Sequence, residues 1–280
     1  MGIHRQMPIY QVIVLAVIQG LTEFLPVSSS GHLVVVPALL HWPEHSLAFD
    51  VALHLGTLVA VLIYFFRDWV QIIGNGLGAR GGTDPQLRQN RNLLWLLVIG
   101  TIPAGIAGLA LEKKAEEHFG GIYVIGSMLI LVGILMWVAD RRTRLWKDLA
   151  HVKTSDSLAI GLAQALAIIP GTSRSGITIT TALFRNFDRA TAARFSFLLS
   201  TPIIAAAAAK KGWDVYKSGG LHGETMQFIL GIVICGIVGA IVIGLFMQYL
   251  RRSTLAPFVW YRILFGIIII ALAYFRVIAA

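Results

Sequence analysis

Apolar residues run along this chain in long blocks broken by short polar stretches, and the block lengths sort the elements they predict. Residues 48–66, 93–111 and 121–139 each read as a helix long enough to cross a bilayer, which takes about 20 apolar residues. Residues 190–209, 227–248 and 257–278 read the same way, the first interrupted by Arg194. Two apolar runs stop short. Residues 8–22 end against Pro26 and the serines Ser28, Ser29 and Ser30, and residues 157–169 end against Pro170, Gly171 and a second hydroxyl cluster. A helix too short to cross, followed at once by a polar turn, predicts a re-entrant hairpin, with return helices at 33–41 and near 177–185. Non-helical backbone survives at membrane depth only where protein buries it or a wet cavity meets it, so both turns are expected to face one. Residues 67–92 read as a polar, glycine-rich loop, 112–120 as a short charged turn and 140–156 as a linker.

The two interrupted stretches align. Gln19, Ser28, Ser30 and Gly31 reappear 145 positions later as Gln164, Ser173, Ser175 and Gly176, and Phe49 and Leu53 match Phe195 and Leu199 at an offset of 146. Identities at a nearly fixed offset indicate an internal duplication. The expected fold is an all-α integral membrane protein of two inverted repeats, each a re-entrant helix-turn-helix plus three transmembrane helices. It forms one membrane domain, with repeat one at about 1–140, a linker at 141–156 and repeat two at about 157–280. Three crossings per half would set the halves in opposite orientation.

Composition removes the soluble alternatives: of 280 residues 56% are hydrophobic and 13% charged, and the mean hydropathy is +0.75. A net charge of +9 raises the question of nucleic acid. Lys and Arg fall between the apolar blocks rather than on one basic face, so no nucleic-acid partner is expected. Loops 67–92, 140–156, 185–189 and 249–256 hold 13 Lys and Arg against 7 in the N-terminus, 112–120, 210–226 and the C-terminus. The first set is expected to be cytoplasmic, with both termini outside and the two hairpins entering from opposite faces to meet near mid-membrane. Arg5 before an apolar run is signal-like, but Gln19 and Glu23 follow with no small-residue cleavage site, so the segment is expected to stay. The single cysteine, Cys235, is expected to pack rather than to bridge or bind metal.

Glu23 is the sharpest anomaly, because a carboxylate between Leu21 and Phe24 is costly unless paired, protonated or bound to a cation. Gln19, four positions earlier, shares its helical face and would let an amide and a carboxylate point at one cation; an interhelical salt bridge is the plainer reading. His32 could serve as acid, base or nucleophile, or as a hydrogen-bonded core residue. Arg174 stands among Thr172, Ser173, Ser175 and Gly176, and guanidinium, hydroxyls and backbone N–H groups before a helix suit a phosphate. It could equally pair with Glu23. Each of Ser28, Ser29 and Ser30 could be nucleophile, phosphate donor or helix cap. Asp50 and His54 are secondary candidates, and Arg194 and Arg262 are expected to be structural or to meet lipid headgroups. The repeats differ where chemistry would lie: Ile168 replaces Glu23, and Arg174 replaces Ser29. A transporter needs two comparable gates, whereas a hydrolase needs unlike groups converging on one bond.

At these residues the chain resembles a known family. QGLTEFLPVSSSGH and PGTSRSG are similar to the two signature motifs of the undecaprenyl-diphosphatase family, the bacterial bacitracin-resistance membrane phosphatases, and the resemblance extends through FDVALHLGT and RFSFLLSTP. It implies an enzyme dependent on a divalent cation, Mg²⁺ or Ca²⁺, that hydrolyses undecaprenyl diphosphate to the monophosphate carrier and inorganic phosphate for cell-wall synthesis. The partners implied are a polyprenyl diphosphate and the lipid of the bacterial inner membrane, with the site opening toward the outer, periplasmic face; a homodimer is left open. The family's site groups fall on Glu23, His32, Ser28, Ser29, Ser173 and Arg174. Its members carry Glu or Gln at position 19, and with Gln19 here Glu23 must carry more of the metal binding. Arg174 and its turn would hold the diphosphate while Ser29 or a water, activated by His32, attacks the terminal phosphorus. The rival reading is a secondary transporter or flippase of a phosphorylated lipid.

Overall fold

The structure, a computed structural model, describes residues 7–43, 45–79, 81–141, 145–217, 219–221, 224–275 and 277–278, with the side chains of residues 112, 113, 116 and 117 also left aside. Arg5, Arg80, Arg142, Arg144 and Arg276, all part of the charge count, lie outside the described residues, as does part of the linker. The described elements are helical: α1 Ile9–Thr22, α2 Ser29–Leu40, α3 Leu47–Tyr64, α4 Phe66–Gly76, α5 Pro85–Gln89, α6 Leu93–Phe119, α7 Ile122–Asp140, α8 Thr154–Ala165, α9 Arg174–Phe184, α10 Arg189–Lys217, α11 Thr225–Leu250 and α12 Ala256–Tyr274. Among them, α3, α6, α7, α10, α11 and α12 are long and apolar enough to cross a membrane. Bulky apolar side chains such as Leu131, Ile134, Ile237, Ile241, Leu245 and Ile267 remain exposed on these helices, where lipid would receive them. This is a multi-pass membrane protein.

Both short helices lead into the hairpins that the sequence predicts. The α1 turn closes at Pro26 and returns as α2, and α8 passes through a 3-10 turn at Leu166–Ile168 before returning as α9. Ser28 at φ 76° and Ser173 at φ 67° both take left-handed backbone immediately before their return helices, a costly conformation for a side-chain-bearing residue and one that collects at functional sites. Their hydroxyls repeat one pattern, Ser28 Oγ lying 3.2 Å from Ser30 Oγ and Ser173 Oγ 3.3 Å from Ser175 Oγ. Gly171, at φ 87°, has no room for a side chain: a Cβ there would lie 2.4 Å from the Ile125 carbonyl oxygen.

The helices around the two hairpins pack in pairs. α1 packs on α11 as α8 packs on α6, while α3 meets α10 and α7 meets α12. The approach of α6 to α8 needs Gly161, whose Cβ would fall 2.1 Å from the Gly100 carbonyl oxygen.

The polar stretch at 67–92 is not the loop that the pattern predicts. Ile72 and Leu87 are each 1% exposed, so α4 and α5 are amphipathic surface helices packed against the bundle. Asp84 Oδ1 accepts from the backbone N–H of Gln86 and Leu87 and Pro85 opens α5, a standard helix start. Arg194 ties this layer to α10, its guanidinium lying 2.7 Å from Asp68 and 2.9 Å from Asp84. Burial pushes the Asp84 carboxyl up, but the Arg194 charge and its hydrogen bonds outweigh that and hold it below the usual carboxylate range. The charged turn expected at 112–120 is instead the last part of α6, its Lys and Glu residues being good helix formers.

Candidate active site

The two hairpin tips touch. Arg174 Nη2 donates to Glu23 Oε1 at 3.0 Å across 151 positions of sequence, and the Glu23 side chain is only 6% exposed. Ser175 Oγ reaches back to the carbonyl of Leu25 at 3.1 Å, and Gly171 N donates to Ser30 Oγ at 3.4 Å. Arg262, fully buried, locks the tips from behind, donating to the carbonyls of Pro26 on one turn and of Gly171 and Thr172 on the other at 3.0 to 3.2 Å.

Glu23 is the hub. Its Oε2 accepts from Ser29 Oγ at 2.7 Å and from Gln19 Nε2 at 2.9 Å. A carboxylate only accepts, so the Gln19 amide must turn its nitrogen to Glu23. That leaves Gln19 Oε1 buried without a hydrogen-bond partner, and Arg174 Nη1 is likewise buried and unpartnered. A cavity of about 440 Å³ opens over these groups, lined by Gln19, Glu23, Ser28, Ser29, Ser30, Ser173 and Arg174 and also by His45 just before α3, Asp50 and His54 on α3 and Lys211 on α10. Gln19 and Arg174 both line the cavity, and each keeps one buried polar atom without a partner.

Most of the sequence-predicted residues fall into two sets, the secondary candidates Asp50 and His54 belonging with the first. Gln19, Glu23, Ser28, Ser29, Ser30, Ser173 and Arg174 line the cavity, whereas Thr172, Ser175 and Gly176 stand behind it. Thr172 is fully buried, Ser175 spends its hydroxyl holding the turns together, and Gly176 N is capped by Ser173 Oγ at 3.1 Å. His32 makes its hydrogen bonds to other partners than Ser29. Its Nδ1 lies 2.7 Å from the carbonyl oxygen of Ser28, so that nitrogen carries the hydrogen, and Nε2 lies 2.6 Å from the Tyr261 hydroxyl. With Nδ1 on a carbonyl and Nε2 on the Tyr261 hydroxyl, neither ring nitrogen is free to take the Ser29 proton. The group that does face the Ser29 proton is Glu23. Tyr261 and Lys211 carry no signal in the linear pattern, because only the folded chain brings them to α2 and α3, whereas His45 stands five positions before Asp50.

Gln19 Oε1, the Glu23 carboxylate and the neighbouring serine hydroxyls are hard oxygen donors of the kind Mg²⁺ and Ca²⁺ take. Among the described residues no group of three or more His, Cys, Asp and Glu forms a self-sufficient metal cage. A cation here would have Glu23 and Gln19 Oε1 as protein donors and would need water and substrate oxygens for its remaining positions, as hydrated Mg²⁺ commonly does.

The protein family described as bacitracin resistance protein BacA matches residues 12–268. An undecaprenyl-diphosphatase of Moorella thermoacetica is 45% identical over 270 residues, covering 96% of this chain and all of the relative. Those of Pelotomaculum thermopropionicum and Geobacter sulfurreducens are 44% and 45% identical over 95% and 96% of this chain.

Proposed function

The chain belongs to the family of bacitracin resistance protein BacA, and from that premise we propose that it hydrolyses undecaprenyl diphosphate to undecaprenyl phosphate and inorganic phosphate, returning the lipid carrier to cell-wall synthesis. The observation that carries this reading is the Glu23–Arg174 contact: an acid with its serine on one hairpin faces a fixed cation on the other across one cavity.

Arg174 Nη1 takes an oxygen of the terminal phosphate, and the hydroxyls of Ser28 and Ser30 stand along the same wall. Ser29 Oγ attacks the terminal phosphorus and passes its proton to Glu23 Oε2, its hydrogen-bond acceptor. The phosphorus–oxygen bond to the bridging oxygen breaks and undecaprenyl phosphate leaves. Water then cleaves the phosphoserine, giving inorganic phosphate and restoring Ser29. A divalent cation, held by Glu23 and Gln19 Oε1, would supply neutralisation of the diphosphate charge. His32 fixes the start of α2, and hence Ser29, through Ser28 and Tyr261. The protein belongs in the bacterial inner membrane with its cavity open to the periplasmic face, the orientation that the loop charges favour.

Purified protein in detergent, given undecaprenyl diphosphate, should release phosphate, and a chelator should stop the release. Arg174→Ala should lower turnover by about 10²-fold or more, the usual loss when one charge-stabilising donor is removed, with helical content retained. Near-normal release by that variant would overturn the assignment.

A further inference from the structure

A second cavity adjoins the polar one. It measures about 230 Å³ and lies between α6, α10 and the 3-10 turn after α8, walled by Ala104, Gly105, Gly108, Ile203, Ala206 and Ala207. Ala167, Ile168, Arg174 and Lys211 line both spaces, so the apolar groove and the polar cavity are continuous. Side chains beside the groove on α6, Ile106 and Leu109, are 62% and 79% exposed, which places its outer side against lipid.

Lys211 stands at the join. Its Nζ is 3.9 Å from Asp50 Oδ2, while Asp50 Oδ1 already accepts from His45 Nε2 at 2.8 Å. Asp50 is thus held by His45, and the lysine leans on it only loosely. Arg174, the other cation at the join, has Nη1 buried and unpartnered. Two positive groups where an apolar groove enters a polar cavity match an amphiphile with a polyanionic head and an apolar tail.

We propose that the groove between α6 and α10 holds the isoprene units nearest the diphosphate, and that Lys211 binds the phosphate that stays on the tail. This deepens the reading of the site as a lipid diphosphatase and rests on it. Small residues are what such a groove needs. A Cβ built on Gly105 or Gly108 meets no atom within 4 Å, so packing closes neither position to a side chain.

A prenyl diphosphate carrying a diazirine on its first isoprene unit, photolysed on the intact protein, should label peptides of α6 and α10. Labelling confined to α3, α11 or α12 would overturn the groove assignment whether or not phosphate is released. Labelling of α6 and α10 without any hydrolysis would keep the groove and reject the reaction. In steady-state assays Gly105→Phe and Lys211→Gln should each raise KM for undecaprenyl diphosphate by about ten-fold with kcat changed far less, the pattern of lost ground-state binding. Lys211→Arg should recover most of the loss, and Leu245→Phe on the lipid-facing side of α11 should behave as wild type. Unchanged KM in both Gly105→Phe and Lys211→Gln would contradict the proposal.

Discussion

Ser29 Oγ lies 2.7 Å from Glu23 Oε2, and His32 lies behind it with both ring nitrogens occupied. The two groups should therefore fail differently when changed. Ser29→Ala removes the atom that attacks phosphorus and should cut kcat by about 10² or more while KM moves little. Tyr261→Phe removes only the donor to His32 Nε2 and should cost about 1 kcal/mol of stability, read as a lowered thermal midpoint, with activity reduced less than ten-fold. Equal losses of kcat in the two variants would restore His32 to the reacting centre. Glu23 and Arg174 were legible in the sequence because a charge inside an apolar run has no bland explanation. Lys211 was not, because a lysine pair at the end of a long apolar helix also reads as an ordinary stop, and Tyr261 was not, because aromatic residues are common on lipid-facing helices.

Among elements, the second hairpin is secured at its base by one carboxylate. Asp156, fully buried at the start of α8, accepts from Lys147 Nζ at 2.9 Å on the linker and from Arg185 Nε at 2.7 Å just beyond α9. Burial pushes its carboxyl up, but Lys147, Arg185 and the Lys153 N–H outweigh that and hold it below the usual range. A group with a depressed folded value stabilises the fold above its unfolded value, near pH 4, and that contribution is lost as pH falls through the lower folded value. Asp156→Asn should accordingly cost about 3 kcal/mol at pH 7, since it strands buried Lys147, and the gap in thermal midpoint from wild type should close as the pH drops below 4. A gap independent of pH would show that packing, not charge, is lost. The hairpins and long helices were legible from block length. α4 and α5 were not, because averaged hydropathy hides a helix with one apolar face, and what reveals it here is the spacing of Phe65, Trp69 and Ile72 at helical intervals.

Across the whole molecule, Arg262 joins two hairpin turns that lie far apart in the sequence. Its guanidinium binds carbonyls of both hairpin turns and of Leu129 and Met128 on α7. Arg262→Lys should fail to substitute, because one ammonium cannot span that fork of acceptors, and should lower stability and turnover together. The central claim is that Glu23 and Arg174 act as one unit across the hairpin interface. A double-mutant cycle on kcat/KM for undecaprenyl diphosphate, with Glu23→Gln, Arg174→Gln and the pair combined, measures that coupling directly. The predicted result is that each single variant loses about 10²-fold or more and the double variant loses no more than the worse single. Losses that multiply in the double variant would mean that the two residues work independently, contradicting a shared site.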